Sequence, residues 1–326
     1  MRFLLDEEQR AFARSLDAML TSAATPSVVR AWSAGEHGAG RRLWARIAEA
    51  GVFALAVPEA YEGLGPLPVE LAAAFVELGR HAVPGPLVET VLAAVLLSKA
   101  AAGSTGSGPE QAARLLPQLA SGKVMATVGA PYALDGDAAD AVLALDGCRM
   151  RLAPGCRPVT RASLDPARRL ATPLPGGEPV PGVPGADAFA WARLATAAQA
   201  FGVGLTLLDR TVAYAGQRQQ FGVPIGSFQA VKHRLADARI ALEFARPLLF
   251  GAAVTMDPVD VAAAKVAACE AAYGTARTAL QVHGAIGYTA EYDLSLWLTK
   301  ARALRSAWGT PRECRDTVLD LARPRP

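Results

Sequence analysis

Two short stretches in the last third of the chain hold most of the residues able to do chemistry. The first, RQQFGVPIGSFQ, runs from Arg218 to Gln229. A guanidinium fork at Arg218 can grip a phosphate through parallel N–H donors, and Phe221 and Phe228 can flank an aromatic ring. An arginine at a helix C-terminus also complements the helix dipole without any ligand, and a loop phenylalanine more often plugs a core. The second stretch, QVHGAIGY, runs from Gln281 to Tyr288. Gly284 and Gly287 suit a tight turn, and glycines also let a backbone approach a dinucleotide closely. His283 by itself reads as structural. Cys148, Cys156, Cys269 and Cys314 are scattered, with no Cys-x-x-Cys spacing for zinc and too few for a disulfide framework.

Both stretches interrupt strong helical patterns. Leu194, Ala198, Phe201, Leu205, Leu208 and Val212 alternate steps of four and three. So do Phe228, Val231, Leu235, Ala238, Leu242, Ala245 and Leu249, and again Val261, Ala264, Ala268, Ala271, Thr275, Thr278 and Val282. With a fourth helix near 292–305, residues 186–326 read as an antiparallel four-helix bundle. The N-terminal stretch, 1–120, also reads as helical. Asp6 and Gln9 form a capping-box variant. Helices are expected near 41–50, 69–79 and 87–102, and a loop over 103–109. Between 121 and 185 the texture becomes β-like (KVMATVGA, DAVLAL, CRMRL). The six prolines from Pro166 to Pro184 then argue for an irregular connector. This middle segment is small for a free-standing domain.

Composition narrows the function classes. The 326 residues are 52% apolar and 19% charged, enough for a sizeable core and against disorder. The 33 basic and 30 acidic residues are interspersed, so nucleic acid and membrane surfaces have no electrostatic support as partners. The apolar run near 88–102 is too short to span a bilayer, and MRFLLDEEQR has no signal-peptide core. A cytoplasmic, reduced protein is the expectation.

Taken together, four segments resemble the acyl-CoA dehydrogenase family along nearly the whole chain. They are LWARIAEAGVFALAVPEAYEGLG, RQQFGVPIGSFQAVKHRLAD, QVHGAIGYTAEYDL and WGTPRECRD. The resemblance implies a mainly α fold: a helical N-terminal domain, a β middle domain (here truncated) and a C-terminal four-helix bundle. It implies tetramers with FAD held between paired subunits. Carried over, the FAD-binding positions are Arg218, Gln219, Gln220, Phe221, Phe228 and Gln229. Gln281, Val282, His283, Gly284 and Ala285 belong to the loop that closes the paired subunit's site. Thr310, Pro311 and Arg312 match the stretch that lies against the flavin. No metal is implied.

The departures are informative. The family oxidises the Cα–Cβ bond of an acyl thioester, with a glutamate as general base and the flavin as hydride acceptor. That carboxylate sits before the Gly-Thr of the closing motif, where this chain has Trp308, or before an Arg on the first bundle helix, where it has Ala192. Nothing apolar can replace a base. Asp187, Glu243 and Glu291 remain conceivable bases, and surface or capping roles account for each. After ATVGAPYAL the chain passes directly to DGDAADAVLAL, without the family segments that touch the flavin ring and substrate. The leading reading is a non-catalytic subunit of a heteromeric α2β2 acyl-CoA dehydrogenase, resembling shortened subunits of actinobacterial enzymes for steroid side chains. It would complete the ADP end of an FAD site shared with a full-length partner, which binds most of the acyl-CoA. The alternatives are a self-sufficient homo-oligomeric flavoenzyme with an unidentified base, and a structural or regulatory paralogue without flavin.

Overall fold

The computed structural model describes residues 4–103, 107–158 and 163–322. In chain order the first elements are α1 (Glu7–Ser22), α2 (Thr25–Ser33), α3 (His37–Glu49), α4 (Pro68–Arg80), α5 (Leu87–Ala102) and α6 (Gly108–Ala120). Seven strands follow: β1 (Ala126–Gly129), β2 (Ala133–Leu134), β3 (Ala141–Asp146), β4 (Arg149–Ala153), β5 (Cys156–Pro158), β6 (Leu170–Pro173) and β7 (Glu178–Val180). The chain then runs through α7 (Ala186–Gln217), β8 (Gln219–Gln220), β9 (Val223–Pro224), α8 (Gln229–Thr255), α9 (Pro258–His283), α10 (Leu294–Leu304) and α11 (Pro311–Ala322). Contacts divide these into two compact units. One comprises Ser22–Ala74 and Val83–Ala192, the other Met1–Thr21, Phe75–Ala82 and Arg193–Pro326.

In the first unit α5 is buried on almost every side, from Leu87 through Leu97. A helix that is apolar all round has no solvent face to present. Thr90 stitches it to the sheet, its hydroxyl donating to the Ala126 carbonyl at 2.8 Å and accepting from the Ala126 N–H at 3.2 Å. The sheet runs β5-β6-β2-β1-β3-β4-β7. Its centre is the parallel pair β1 and β3, from Ala126↔Ala141 to Gly129↔Ala144. The proline-rich stretch is not an irregular connector: β6 pairs with β2 and β5, and β7 pairs with β4. Prolines fit because β7 is an edge strand and Pro173 lies at the end of β6, beyond the residues paired to β2. From α6, the Gln111 amide donates to the Pro179 carbonyl at 2.8 Å and Arg114 pairs with Glu178 at 2.6 Å, holding that edge.

The second unit is the bundle. The capping box at its first helix is reciprocal: Gln9 N–H donates to the Asp6 carboxylate at 2.8 Å and Asp6 N–H to the Gln9 side chain at 3.0 Å. Of the expected stripes, Leu194 to Leu208 on α7, Ala238 to Leu249 on α8 and Val261 to Thr275 on α9 are buried, whereas Val212 and Phe228 are exposed. A further alanine-rich core joins other positions of α7 and α9 to α10, where Ala200, Val203, Leu207, Ala272, Ala276, Trp297 and Leu304 are buried together. The end of α4 crosses α7 at backbone contact. A Cβ on Gly79 would fall 2.0 Å from the Gln199 carbonyl oxygen, and one on Gly202 would fall 1.9 Å from that of Val76. Three helices, α2, α6 and α11, were not expected individually from the sequence, and α6 begins at Gly108, inside the expected 103–109 loop, of which 104–106 lie outside the described residues. Among the described residues, no helix is long and apolar enough to cross a membrane.

Candidate functional site

At Gln217 the first bundle helix stops and the chain enters a two-stranded hairpin, with Gln219↔Pro224 and Gln220↔Val223 in register. Its tip needs positive φ at two successive residues, 53° at Phe221 and 79° at Gly222. Glycine adopts this freely, whereas phenylalanine is held there at a cost of roughly 1–2 kcal/mol. The Phe221 ring is 92% exposed and meets Phe228 edge-on, with ring centres 6.1 Å apart. The Arg218 backbone is fixed: its N–H donates to the Tyr214 carbonyl, and its own carbonyl accepts from Ile225, both at 2.8 Å. Its side chain is exposed and pairs with no carboxylate among the described residues. Gln219, Gln220 and Gln229 are exposed beside it. An unneutralised guanidinium next to two accessible rings and three amides suits a phosphate joined to a planar group.

The second loop sits at the same end of the bundle, because Tyr214 stacks on His283 with ring centres 4.2 Å apart. His283 is buried, and Tyr292 lies against it at 5.6 Å. The ring donates through Nδ1 to the Ala279 carbonyl at 2.8 Å, and burial pushes its pKa below the ordinary value, so it is a neutral packing group. Gly284 adopts φ 64° and ψ −138°, a conformation for glycine, while a Cβ there would meet nothing. At Gly287 a Cβ would lie 3.2 Å from both His283 and Leu280. These glycines are accounted for by the turn itself. Gln281 and Ala285 are exposed and Val282 is half-buried, with Tyr288 76% exposed just beyond.

The turn at 305–310 is built differently. Trp308 has φ 55°, and its carbonyl accepts from Arg193 Nε at 3.2 Å. Lys265, buried on α9, donates to the Gly309 carbonyl at 2.6 Å and to that of Arg305 at 3.4 Å. Arg305 pairs with Glu270 at 2.8 Å. Thr310 then caps α11 reciprocally with Glu313. The Thr310 N–H donates to the Glu313 carboxylate at 2.7 Å, and the Glu313 N–H donates to the Thr310 hydroxyl at 3.2 Å. Thr310-Pro311-Arg312-Glu313 is the capping box that announces α11 in the sequence, with proline at the first helical position.

Glu313 is also the carboxylate nearest in sequence to Trp308, and sequence reasoning passed over it. The Thr310 N–H and hydroxyl hold its pKa below the ordinary value, which makes it a poor proton acceptor near neutrality. Of the other carboxylates, Asp187 is hydrogen-bonded to Lys99, which lowers its pKa. Glu243 lies on the outside of α8 between Arg239 at 2.8 Å and Arg246 at 3.4 Å. Glu291 is exposed in the loop before α10, and Ala192 is fully buried. Beside Glu243, α8 carries a second apolar row that the inner stripe hid: Ile240, Phe244 and Leu248 are 53%, 72% and 48% exposed.

Residues 6–123 match the N-terminal domain of acyl-CoA dehydrogenases, and residues 186–319 match their C-terminal domain. The chain is 34% identical over 312 residues to acyl-CoA dehydrogenase IpdE2 of Mycolicibacterium smegmatis, covering 95% of this chain and 97% of that protein. It belongs to the acyl-CoA dehydrogenase family. Among solved structures of this fold, the ChsE4-ChsE5 complex from Mycobacterium tuberculosis superposes with a TM-score of 0.83 at 27% identity over the whole of both chains. The Tcur3481-Tcur3483 steroid acyl-CoA dehydrogenase (a G363A variant) shares the fold at 24% identity, with a TM-score of 0.81 over 97% of each chain. In this member of the family, Trp308 and Ala192 stand at the two places where the family resemblance expects the base.

Proposed function

We propose that this chain is the non-catalytic subunit of a heteromeric FAD-dependent acyl-CoA dehydrogenase, assembled as α2β2 in the cytoplasm. The observation that carries the reading is the pairing of Trp308 and buried Ala192 at the base positions with the exposed, unneutralised Arg218. FAD, when bound, supplies the hydride acceptor for α,β-dehydrogenation of the acyl thioester. The groups in this chain fit only its nucleotide end. Arg218 would hold the diphosphate, and Gln219, Gln220, Phe221, Phe228 and Gln229 would line the adenosine. Gln281, Val282, His283, Gly284 and Ala285, with Thr310, would form the edge facing the partner. A full-length subunit would supply the glutamate, the contacts to the flavin ring and most of the acyl-CoA pocket.

On this reading residues 1–120 and 121–185 are a helical domain and a shortened β domain that no longer encloses a flavin ring, and 186–326 is the assembling bundle. The relatedness to a chain of the ChsE4-ChsE5 complex supports a partner of the same family. The exposed row Ile240, Phe244 and Leu248 gives the bundle an apolar surface to cover. A bulky, steroid-like acyl group is the substrate class of this proposal.

The test is expression alone and with a longer acyl-CoA dehydrogenase subunit. The chain alone should be colourless, poorly soluble or both, and the complex should carry one FAD per heterodimer. A yellow, soluble chain alone would establish a self-sufficient flavoenzyme. Two flavins per heterodimer would refute the shared site, and no flavin in either preparation would leave a structural subunit.

A further inference from the structure

Three ligand-type side chains converge between α1 and the end of α4, all within the second unit. The carboxylate oxygens of Asp17 and Glu77 and a ring nitrogen of His81 lie within 4.8 Å of one another. Glu77 and His81 are four residues apart on one helical turn, closed by the His81 N–H donating to the Glu77 carbonyl at 3.1 Å. Their side chains therefore point the same way. Asp17 comes from the facing helix, with an oxygen 2.8 Å from His81 Nε2. Glu77 and His81 are largely buried, at 14% and 16% side-chain exposure, while Asp17 is 50% exposed and leaves one side open.

We propose that Asp17, Glu77 and His81 form a binding site for a divalent transition-metal ion of the zinc class. Ligand atoms ~2.0–2.2 Å from a tetrahedral ion stand ~3.3–3.6 Å apart, so the cluster would draw in by about an ångström where it is widest and open slightly where Asp17 and His81 now hydrogen-bond. One imidazole and two carboxylates suit zinc, cobalt or manganese better than calcium or magnesium, which favour all-oxygen sites. The charge balance agrees. Two carboxylates face one nearby cation, Arg80, which is 3.5 Å from Glu77 and shared with Asp209 at 3.4 Å. Glu77 Oε2, the oxygen that Arg80 Nε faces at 3.5 Å, is buried and makes no hydrogen bond among the described residues. His81 would ligate through Nε2 with its proton on Nδ1, and solvent on the Asp17 side would complete the shell. Such an ion would tie the N-terminal helix to the end of α4.

The experiment uses the full chain, alone or with its partner subunit, after exhaustive dialysis against chelator. Cobalt(II) added to the wild type should produce visible d–d absorption that saturates near one equivalent and is displaced by zinc. His81→Gln and Glu77→Gln should each weaken cobalt binding by at least about tenfold, and zinc should raise the melting temperature of the wild type but of neither variant. Circular dichroism in chelator should show all three proteins folded alike. If a variant fails this control, Asp17→Asn, on the exposed side of the site, should show the same loss. Absence of saturable cobalt absorption in the wild type, or equal cobalt affinity in wild type and variants, would overturn the site.

Discussion

The hairpin after α7 and the turn before α11 lie in the same unit and both match family motifs, yet they treat their polar groups in opposite ways. In the hairpin the backbone is satisfied while Arg218, three glutamines and two phenylalanines are left facing solvent, and one of those rings is held at an unfavourable φ. In the turn, Arg193, Lys265, Arg305 and Glu313 are all spent on the chain's own groups. A buried cation that already has partners within the chain stabilises a conformation, whereas an exposed, unneutralised one is available to a ligand. One end of the bundle therefore leaves its polar groups open to an external partner, while the turn before α11 uses its own within the unit.

The largest effect should come from the turn. Lys265→Ala leaves the Gly309 carbonyl without its donor and opens a cavity beneath the turn, at a cost of about 2–4 kcal/mol. Thermal melts of wild type and variant should differ by several degrees, and an unchanged melting point would mean that the turn does not depend on this lysine. Next comes Arg218→Ala, which should weaken FAD retention in the complex by roughly ten- to a hundredfold. Its cost to the fold should be below about 1 kcal/mol. Equal flavin occupancy with a lowered melting point would erase the difference between the two regions.

Glu313→Ala, which breaks the α11 capping box, should cost about 1 kcal/mol near neutrality. Because the folded-state pKa of Glu313 is lowered, its contribution is present above the ordinary carboxylate range and is lost as pH falls through the lowered value. Melts at neutral and acidic pH should therefore show the wild type and variant converging in acid. The smallest effect is expected of Trp308→Glu, which should yield no acyl-CoA-dependent flavin bleaching when the partner's glutamate is replaced by glutamine. A base is one component, typically about 10²–10⁴-fold, and it cannot act without the flavin and the donors that polarise the thioester. Restored bleaching would show that a second acyl site survives in this chain.

Features with local causes could be read directly from the sequence. The Asp6–Gln9 box starts α1, and the apolar run of α5 begins at Leu87 and ends at Ala102 as expected. The inner stripes of the bundle were legible over their middles, where one period holds, and failed at their ends, where Val212 and Phe228 are exposed. α2 escaped because nine residues with Val28, Val29 and Trp32 are too short for a periodic signal, despite the helix-starting Pro26. α11 escaped because Thr310-Pro311-Arg312-Glu313 was matched as a family segment and not as a cap. The outer row of α8 was invisible for a physical reason: a helix with two apolar faces satisfies one stripe and conceals the other. At the site, the residue types of both loops were legible. The Tyr214–His283 stack that brings them to one end joins residues about seventy positions apart, and no local pattern encodes it.

The prolines of the middle segment have a further consequence for how this sheet survives in a crowded cell. An open sheet has two outer strands whose free amides and carbonyls invite a strand from another molecule. Here both outer strands, β5 and β7, contain a proline, Pro158 and Pro179, and each removes an amide from the rim. On the β7 side α6 also takes up the Pro179 carbonyl. A barrel that sheds strands risks becoming a template for fibre growth. In this chain the residues that obscure the strands in the sequence are the same ones that leave the sheet's borders with little to offer a neighbouring strand.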